Sequence, residues 1–91
     1  MAVRVEFYGI ARQRAGTSQL ALDLVHAEIS LGAVLERLAS ALPDFARECL
    51  SGGRLQPQLA ANLDGQRFVS DPSAPIRDGQ CLLILSADAG G

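Results

Sequence analysis

Residues 81–85, CLLIL, and residues 86–91, SADAGG, decide the fold of this 91-residue sequence. Five consecutive apolar residues predict a strand that is covered on both faces, or one that is covered on one face and docked to another surface on the other. The six small or polar residues that follow predict a flexible tail. If this last strand pairs parallel to the first strand at the sheet centre, the tail leaves the domain directly from its core.

Two segments near the start also predict strands, because apolar residues occupy every second position in each. Residues 9–16 lie between them and predict a loop, with glycine at both ends. The two strands should form an antiparallel hairpin. The alternating apolar positions are Val3, Val5 and Phe7 in the first strand and Leu20, Leu22 and Leu24 in the second.

The middle of the sequence predicts one main helix. Ser30 is a plausible N-cap, and Pro43 should end the helix. A shorter helical piece is expected from Asp44 to about Leu50, where Ser51-Gly52-Gly53 interrupts it. The helical spacing is carried by Leu31, Val34, Leu35, Leu38 and Leu42.

The region after this helix predicts a third strand and a hairpin. Leu59, Ala61 and Leu63 alternate with smaller or polar residues, and Asp64-Gly65 is a strong two-residue turn signal before residues 66–69. Residues 71–78 contain two prolines and predict a loop. A right-handed crossover through the helix would then place the last strand beside the first.

Together these elements predict an α+β domain of the ubiquitin-like β-grasp class. We expect a mixed four- to five-stranded sheet packed on one main helix, with residues 1–91 forming a single domain and residues 86–91 a flexible tail. The predicted core is Val3, Val5, Phe7, Leu20, Leu22, Leu35, Leu38, Leu82 and Ile84.

The composition excludes several classes of function. The net charge is −2, and the eight basic residues, all arginines, are scattered, which is not the clustered charge of a nucleic-acid binder. No apolar run approaches the ~20 residues that span a bilayer, and no export signal is visible, so no membrane partner and a cytoplasmic location are expected. The sequence has two cysteines, which are far apart, and one histidine, which we predict to lie at the surface. This set does not match the spacing of a metal site or supply the four ligands of a [2Fe-2S] cluster.

Gly90-Gly91 is the strongest functional signal. Glycine has no Cβ, so a Gly-Gly backbone can enter a channel that side chains would block, and its carboxylate could be activated. The alternative is a frayed terminus with no role. The dipeptide alone does not decide between these two interpretations.

The ordered set of motifs resembles the MoaD/ThiS family of ubiquitin-like sulfur carriers, most closely the small subunit of molybdopterin synthase. FYGIARQRAG at residues 7–16 is similar to that family's first strand and loop, with Arg12 and Gly16 at its usual positions. SLGAVLERLASALPDF at residues 30–45 resembles its capped helix. The terminal Ala89-Gly90-Gly91 also matches, whereas Asp88 stands where the family usually has an apolar residue.

The resemblance implies a function for the tail. An adenylating enzyme of the ubiquitin-activating type would use Mg-ATP to convert the Gly91 carboxylate to an acyl adenylate, and sulfur from a persulfide enzyme would replace AMP. Gly91 would then carry a thiocarboxylate, and Ala89 and Gly90 would insert with it into the large subunit of molybdopterin synthase. No cofactor is expected on this chain itself.

Counting back from Gly91 by this resemblance places Leu82 and Ile84 under the helix and Leu83 and Leu85 on the opposite face, with Tyr8 near them. We therefore expect Tyr8, Arg12, Leu83 and Leu85 to form the partner interface. Carriers for thiamine, cysteine or tRNA thiolation remain possible, as do a protein modifier and a β-grasp binding module. The absence of lysine disfavours a tag that forms lysine-linked polymers of itself.

Overall fold

A computed structural model describes residues 1–88 as a five-stranded sheet with three helices and two small two-stranded ladders. The main helix packs on one face of the sheet. The elements in chain order are β1 (Ala2–Phe7), α1 (Gly9–Ala15), β2 (Gln19–Asp23), β3 (Glu28–Ser30), α2 (Leu31–Ala41), α3 (Pro43–Cys49), β4 (Leu50–Ser51), β5 (Arg54–Leu55), β6 (Leu59–Leu63), β7 (Arg67–Val69), β8 (Pro75–Arg77) and β9 (Cys81–Ser86).

The final strand is the centre of the sheet, as predicted. The strand order is β2-β1-β9-β6-β7, with β1 and β9 parallel and the other neighbours antiparallel. The antiparallel pairing of β1 with β2 is also confirmed, with Val3 opposite Leu22. This topology is the predicted β-grasp, and it places the end of β9 between two other strands.

The core lies between this sheet and α2. Every second residue of β9 is buried, so Leu82 and Ile84 point to the helix, as expected from the period of two. The predicted core residues are buried except Leu20, which is half-buried. Its strand, β2, lies at the edge of the sheet, where neighbours cover only one side.

Local sequence explains where the helices begin and end. The Ser30 hydroxyl accepts a hydrogen bond from the Ala33 N–H at 3.1 Å, which confirms the predicted N-cap. Pro43 follows the end of α2 and occupies the first turn of α3, where a missing N–H costs nothing. Phe45 of α3 then packs edge-on against Phe7, with ring centroids 5.3 Å apart.

Two predicted loops contain regular structure. Residues 9–16 form α1 because residues 10–15 are mostly good helix formers, and Gly16 ends it in the left-handed region at φ 73 with its N–H bonded to Arg12 O. Residues 75–77, predicted as loop, form β8 and pair with β3. Pro75 is tolerated because it is the first residue of its strand.

The boundary of the tail also differs from the prediction. Ser86, assigned to the tail, is the last residue of β9 and is paired with Leu59. The chain therefore leaves the sheet one residue later than expected.

Candidate functional site

The root of the tail is fixed by the backbone. Directly after β9, the Ala87 N–H donates a hydrogen bond to Gln58 O at 2.9 Å, and Asp88 is exposed. The predicted site residues Ala89, Gly90 and Gly91 lie outside the described residues. The position from which the terminal residues continue is therefore fixed at Ala87, directly after the end of β9.

Helix α1 lies beside this point. The Tyr8 N–H donates to Ile84 O at 2.9 Å, so the start of the helix is tied to β9. Gly9 adopts φ 56, and a Cβ there would lie 3.8 Å from the Ser86 hydroxyl oxygen. Arg12 is exposed on α1 and forms no ion pair within residues 1–88.

The face of the sheet that points away from α2 carries three of the residues for which we predict a partner contact. Leu83 and Leu85 alternate with the buried residues of β9 and are half-buried. The parallel register pairs Phe7 with Ile84, so Tyr8, the next residue, comes beside Leu85. Tyr8 is 46% exposed. The structure therefore brings these three side chains to one face, although the two leucines are less exposed than expected.

Two further residues of this face were not predicted. Asn62 is paired with Leu83 on one side and Phe68 on the other, and all three share the outer face. Phe68 is 51% exposed. Asn62 is buried, and its Oδ1 accepts no hydrogen bond from any described residue. The alternation around the Asp64-Gly65 turn could have placed Phe68 here, but no sequence signal marks the unpaired oxygen.

A small polar cluster borders the apolar residues at β1. The Tyr8 hydroxyl donates to Glu6 Oε1 at 2.5 Å, and Arg4 Nε donates to Glu6 Oε2 at 3.0 Å. The hydrogen bond from Tyr8, with a smaller contribution from the Arg4 charge, holds the pKa of Glu6 below its ordinary value. Glu6 is therefore an anion at neutral pH, with both oxygens occupied.

The two cysteines are unsuited to act as nucleophiles. Burial raises the pKa of both Cys49 and Cys81, so each thiol stays protonated at neutral pH. Among residues 1–88, no group of three or more His, Cys, Asp or Glu side chains is arranged to hold a metal ion.

The start of β9 is held by the turn after β6. Asp64 adopts φ 58 in this turn, and its two carboxylate oxygens accept hydrogen bonds from the Cys81 N–H at 2.8 Å and from Gln80 Nε2 at 3.0 Å. An acidic residue at position 80 would repel Asp64 and could donate no such bond. The side-chain amide of Gln80 thus helps to hold the start of β9.

None of the helices within residues 1–88 is long and apolar enough to cross a membrane.

Comparison with known proteins gives matches in structure. No protein-family model matches the sequence, and no curated protein matches it significantly. Among solved structures, SAMP1 from Haloferax volcanii is 17% identical with a TM-score of 0.78, and each chain covers 100% of the other. CysO from Amycolatopsis orientalis, solved in complex with BexX, is 22% identical with a TM-score of 0.70 and coverages of 99% and 100%.

A third similar structure is a putative molybdopterin converting factor subunit 1 from Pyrococcus furiosus. It is 18% identical with a TM-score of 0.75, and the alignment covers 94% of this chain and 97% of that one. Identities this low establish the fold and leave the pathway open. The chain has the ubiquitin-like β-grasp fold of MoaD-like, SAMP1 and CysO proteins, which confirms the resemblance to the MoaD/ThiS family at the level of the fold.

Proposed function

We propose that this chain is a sulfur-carrier protein whose Gly91 carboxylate is adenylated and then converted to a thiocarboxylate. One observation carries the proposal: the central strand β9 leads from the core directly into a segment that includes Gly90-Gly91. The fold shared with CysO, which has been solved with a partner protein, supports the same function. The cell compartment in this proposal is the cytoplasm.

The chemistry needs an activating partner. The Gly91 carboxylate attacks the α-phosphorus of Mg-ATP and releases pyrophosphate, which makes the acyl carbon susceptible to attack. The terminal sulfur of a persulfide enzyme then displaces AMP. A thiol cleaves the resulting acyl disulfide and leaves the thiocarboxylate on Gly91. This chain contributes the carboxylate of Gly91, and the adenylating enzyme contributes the nucleotide site.

The acceptor we propose is a pyranopterin precursor on the large subunit of molybdopterin synthase, with this chain as the small subunit. The similarity to the putative molybdopterin converting factor subunit 1 of P. furiosus supports this pathway. The similarity to CysO keeps carriers for thiamine, cysteine or tRNA thiolation as the alternatives. In this assembly Ala89 and Gly90 enter the large subunit, and Tyr8, Arg12, Leu83 and Leu85 lie against it. The large subunit then supplies the pocket for the pterin.

A second candidate function is protein modification through an isopeptide bond at Gly91. The similarity to SAMP1, a small archaeal modifier protein, favours it specifically. Both functions begin with the same adenylate, so they differ only in the nucleophile that attacks the acyl carbon. Sulfur gives a thiocarboxylate, and a lysine amine gives a conjugate.

Intact-mass measurement tests the proposal. The chain is incubated with ATP, a recombinant ubiquitin-activating-type enzyme and a persulfide donor, and we expect the mass increase of one oxygen-to-sulfur exchange. Deleting Gly91 should abolish the product and leave the thermal unfolding curve unchanged, because the tail lies outside the core. Sulfur transfer to a variant with residues appended after Gly91 would contradict the proposal. A lysine-linked remnant of Gly91 on other proteins would favour the modifier function.

A further inference from the structure

A groove of about 570 Å³ opens between α2 and the β6–β7 edge of the sheet. This size is within the range of sites that take a small ligand or a few side chains. Its floor is apolar and includes Leu35 of α2 together with Leu59 and Ala61 of β6. Neither Leu83 nor Leu85 lines the groove, and its floor lies on the helix side of the sheet. Phe68 and Ala60, whose side chains belong to the outer face, also line it, so the groove reaches round the β6–β7 edge.

A small residue lies at the floor of the groove. Ala61 points to the helix like Leu59 and Leu63, and it is only 2% exposed. The start of α2 cannot move in to close the gap. Its Leu31 and Gly32 N–H groups are bonded at 2.9 Å to the carbonyls of Ala74 and Pro72. A rigid backbone therefore preserves the opening.

Among residues 1–88, a single charged side chain lines the groove. Arg54 is exposed and forms no ion pair within this part of the chain. Asp71 is near enough for the Arg54 charge to help lower the pKa of its carboxyl group, after the two hydrogen bonds that Asp71 Oδ1 accepts from Ser73 at 2.9 and 2.8 Å. The Arg54 guanidinium therefore still has donors for a closer carboxylate partner. An occupant with an apolar side chain and an adjacent carboxylate would match this combination of floor and rim.

The groove also adjoins the root of the tail. Ala87, whose N–H is bonded to Gln58, contributes to its lining. Ala60 contributes as well and is paired with Leu85, which links the groove to the outer face across β6. Any protein that takes the tail must therefore approach this end of the sheet, where the groove opens.

We propose that this groove is a second docking point for the adenylating enzyme, which inserts an apolar side chain over Ala61 and pairs a neighbouring carboxylate with Arg54. The inference rests on the proposed function and adds the chemistry of the partner's contact. It predicts that recognition depends on two separate places, the tail with its outer face and the groove on the helix side.

The test measures kcat and KM for the chain in ATP-dependent adenylation by a recombinant ubiquitin-activating-type enzyme. Arg54→Glu should raise KM about tenfold or more, because replacing an attraction by a repulsion at one charge pair is worth at least ~1.4 kcal/mol. The kcat value should stay unchanged, since Gly91 is untouched. Arg47→Glu is the matched control, because Arg47 is an exposed arginine on α3 that does not line the groove; its KM should equal that of the wild type.

A filling variant tests the apolar half of the proposal. Ala61→Met should add atoms at the floor and raise KM. Because Ala61 is only 2% exposed, the larger side chain should also cost about 1–3 kcal/mol of stability, and circular dichroism must show that the variant is folded at the assay temperature. If this variant does not fold, Arg54→Glu still decides the question, because an exposed substitution does not disturb the core. Wild-type KM should also rise with salt more steeply than that of Arg54→Glu.

Several results would overturn the inference. Equal KM values for the wild type and Arg54→Glu would do so, as would an equal effect of Arg47→Glu, which would indicate general charge steering. A wild-type dimer in sedimentation that Arg54→Glu dissociates, without a change in KM, would assign the groove to a second copy. Failure of the wild type to be adenylated at all would refute the proposed function instead.

Discussion

Opposite effects of aspartate at two adjacent positions of β9 test the assignment of the sheet faces. Ile84 is fully buried between the sheet and α2, whereas Leu85 is half-buried on the outer face. Truncating a buried isoleucine costs about 2–5 kcal/mol, and an unpaired carboxylate in the same place adds a further desolvation penalty. A domain of this length has a stability of about 5–14 kcal/mol. Ile84→Asp should therefore be largely unfolded or close to it.

Leu85→Asp should instead leave the domain folded. Because Leu85 is half-buried, its replacement removes about half of the free energy that full burial of a leucine contributes, which is roughly 1 kcal/mol. Urea unfolding followed by circular dichroism measures both variants, with Leu85→Ala as a control that removes apolar area without adding charge. We expect Leu85→Asp to raise KM in the adenylation assay, because an apolar contact beside the tail is replaced by a charge. Unfolding of Leu85→Asp together with tolerance of Ile84→Asp would show that the faces are assigned in reverse.

Three further predictions concern stability. Leu38→Ala, at a fully buried position of α2, should reduce the free energy of unfolding by about 2–5 kcal/mol in urea titrations, and a loss below about 1 kcal/mol would contradict the assigned helix face. Asn62→Leu should increase it by about 1 kcal/mol, since the unpaired buried Oδ1 is removed, and a clear decrease would mean that the oxygen has a partner. Glu6→Gln should make the free energy of unfolding fall less steeply as the pH is lowered, because the hydrogen bond from Tyr8 lowers the folded-state pKa of Glu6. That contribution is present above the unfolded pKa of about 4.3 and disappears as the pH falls through the folded value; unchanged acid unfolding midpoints would contradict it.

The sequence predicted the parts of the fold that depend on periodicity and caps. The apolar run of β9 indicated a central strand, and Ser30 indicated the start of α2, because a strand covered on both faces and an N-cap each leave a local pattern. Helix α1 was missed because seven residues hold fewer than two full turns, too few for a helical period to emerge. Gly16, which caps the end of this helix, is equally typical of a loop, so it did not indicate a helix by itself.

Strand β8 and the groove were missed for a different reason. Pro75 is typical of loops, and only the distant partner strand β3 makes residues 75–77 regular. The groove lies between Ala61 of β6 and helix α2. Its size depends on the distance between these two elements, which are far apart in sequence. Such features follow from tertiary packing and leave no short-range pattern.

The topology fixes the point from which the last residues leave the domain. β9 is paired with β1 as far as Ile84 and with β6 as far as Ser86, so the place where the chain leaves the sheet is set by backbone hydrogen bonds. The hydrogen bond from Ala87 to Gln58 extends that support by one residue. A partner that recognises the outer face or the groove therefore fixes the origin of the tail within a narrow region. In the proposed function only four residues separate Ala87 from the carboxylate of Gly91, so the backbone that a partner must position to reach it is short, and the entropic cost of positioning it is correspondingly small.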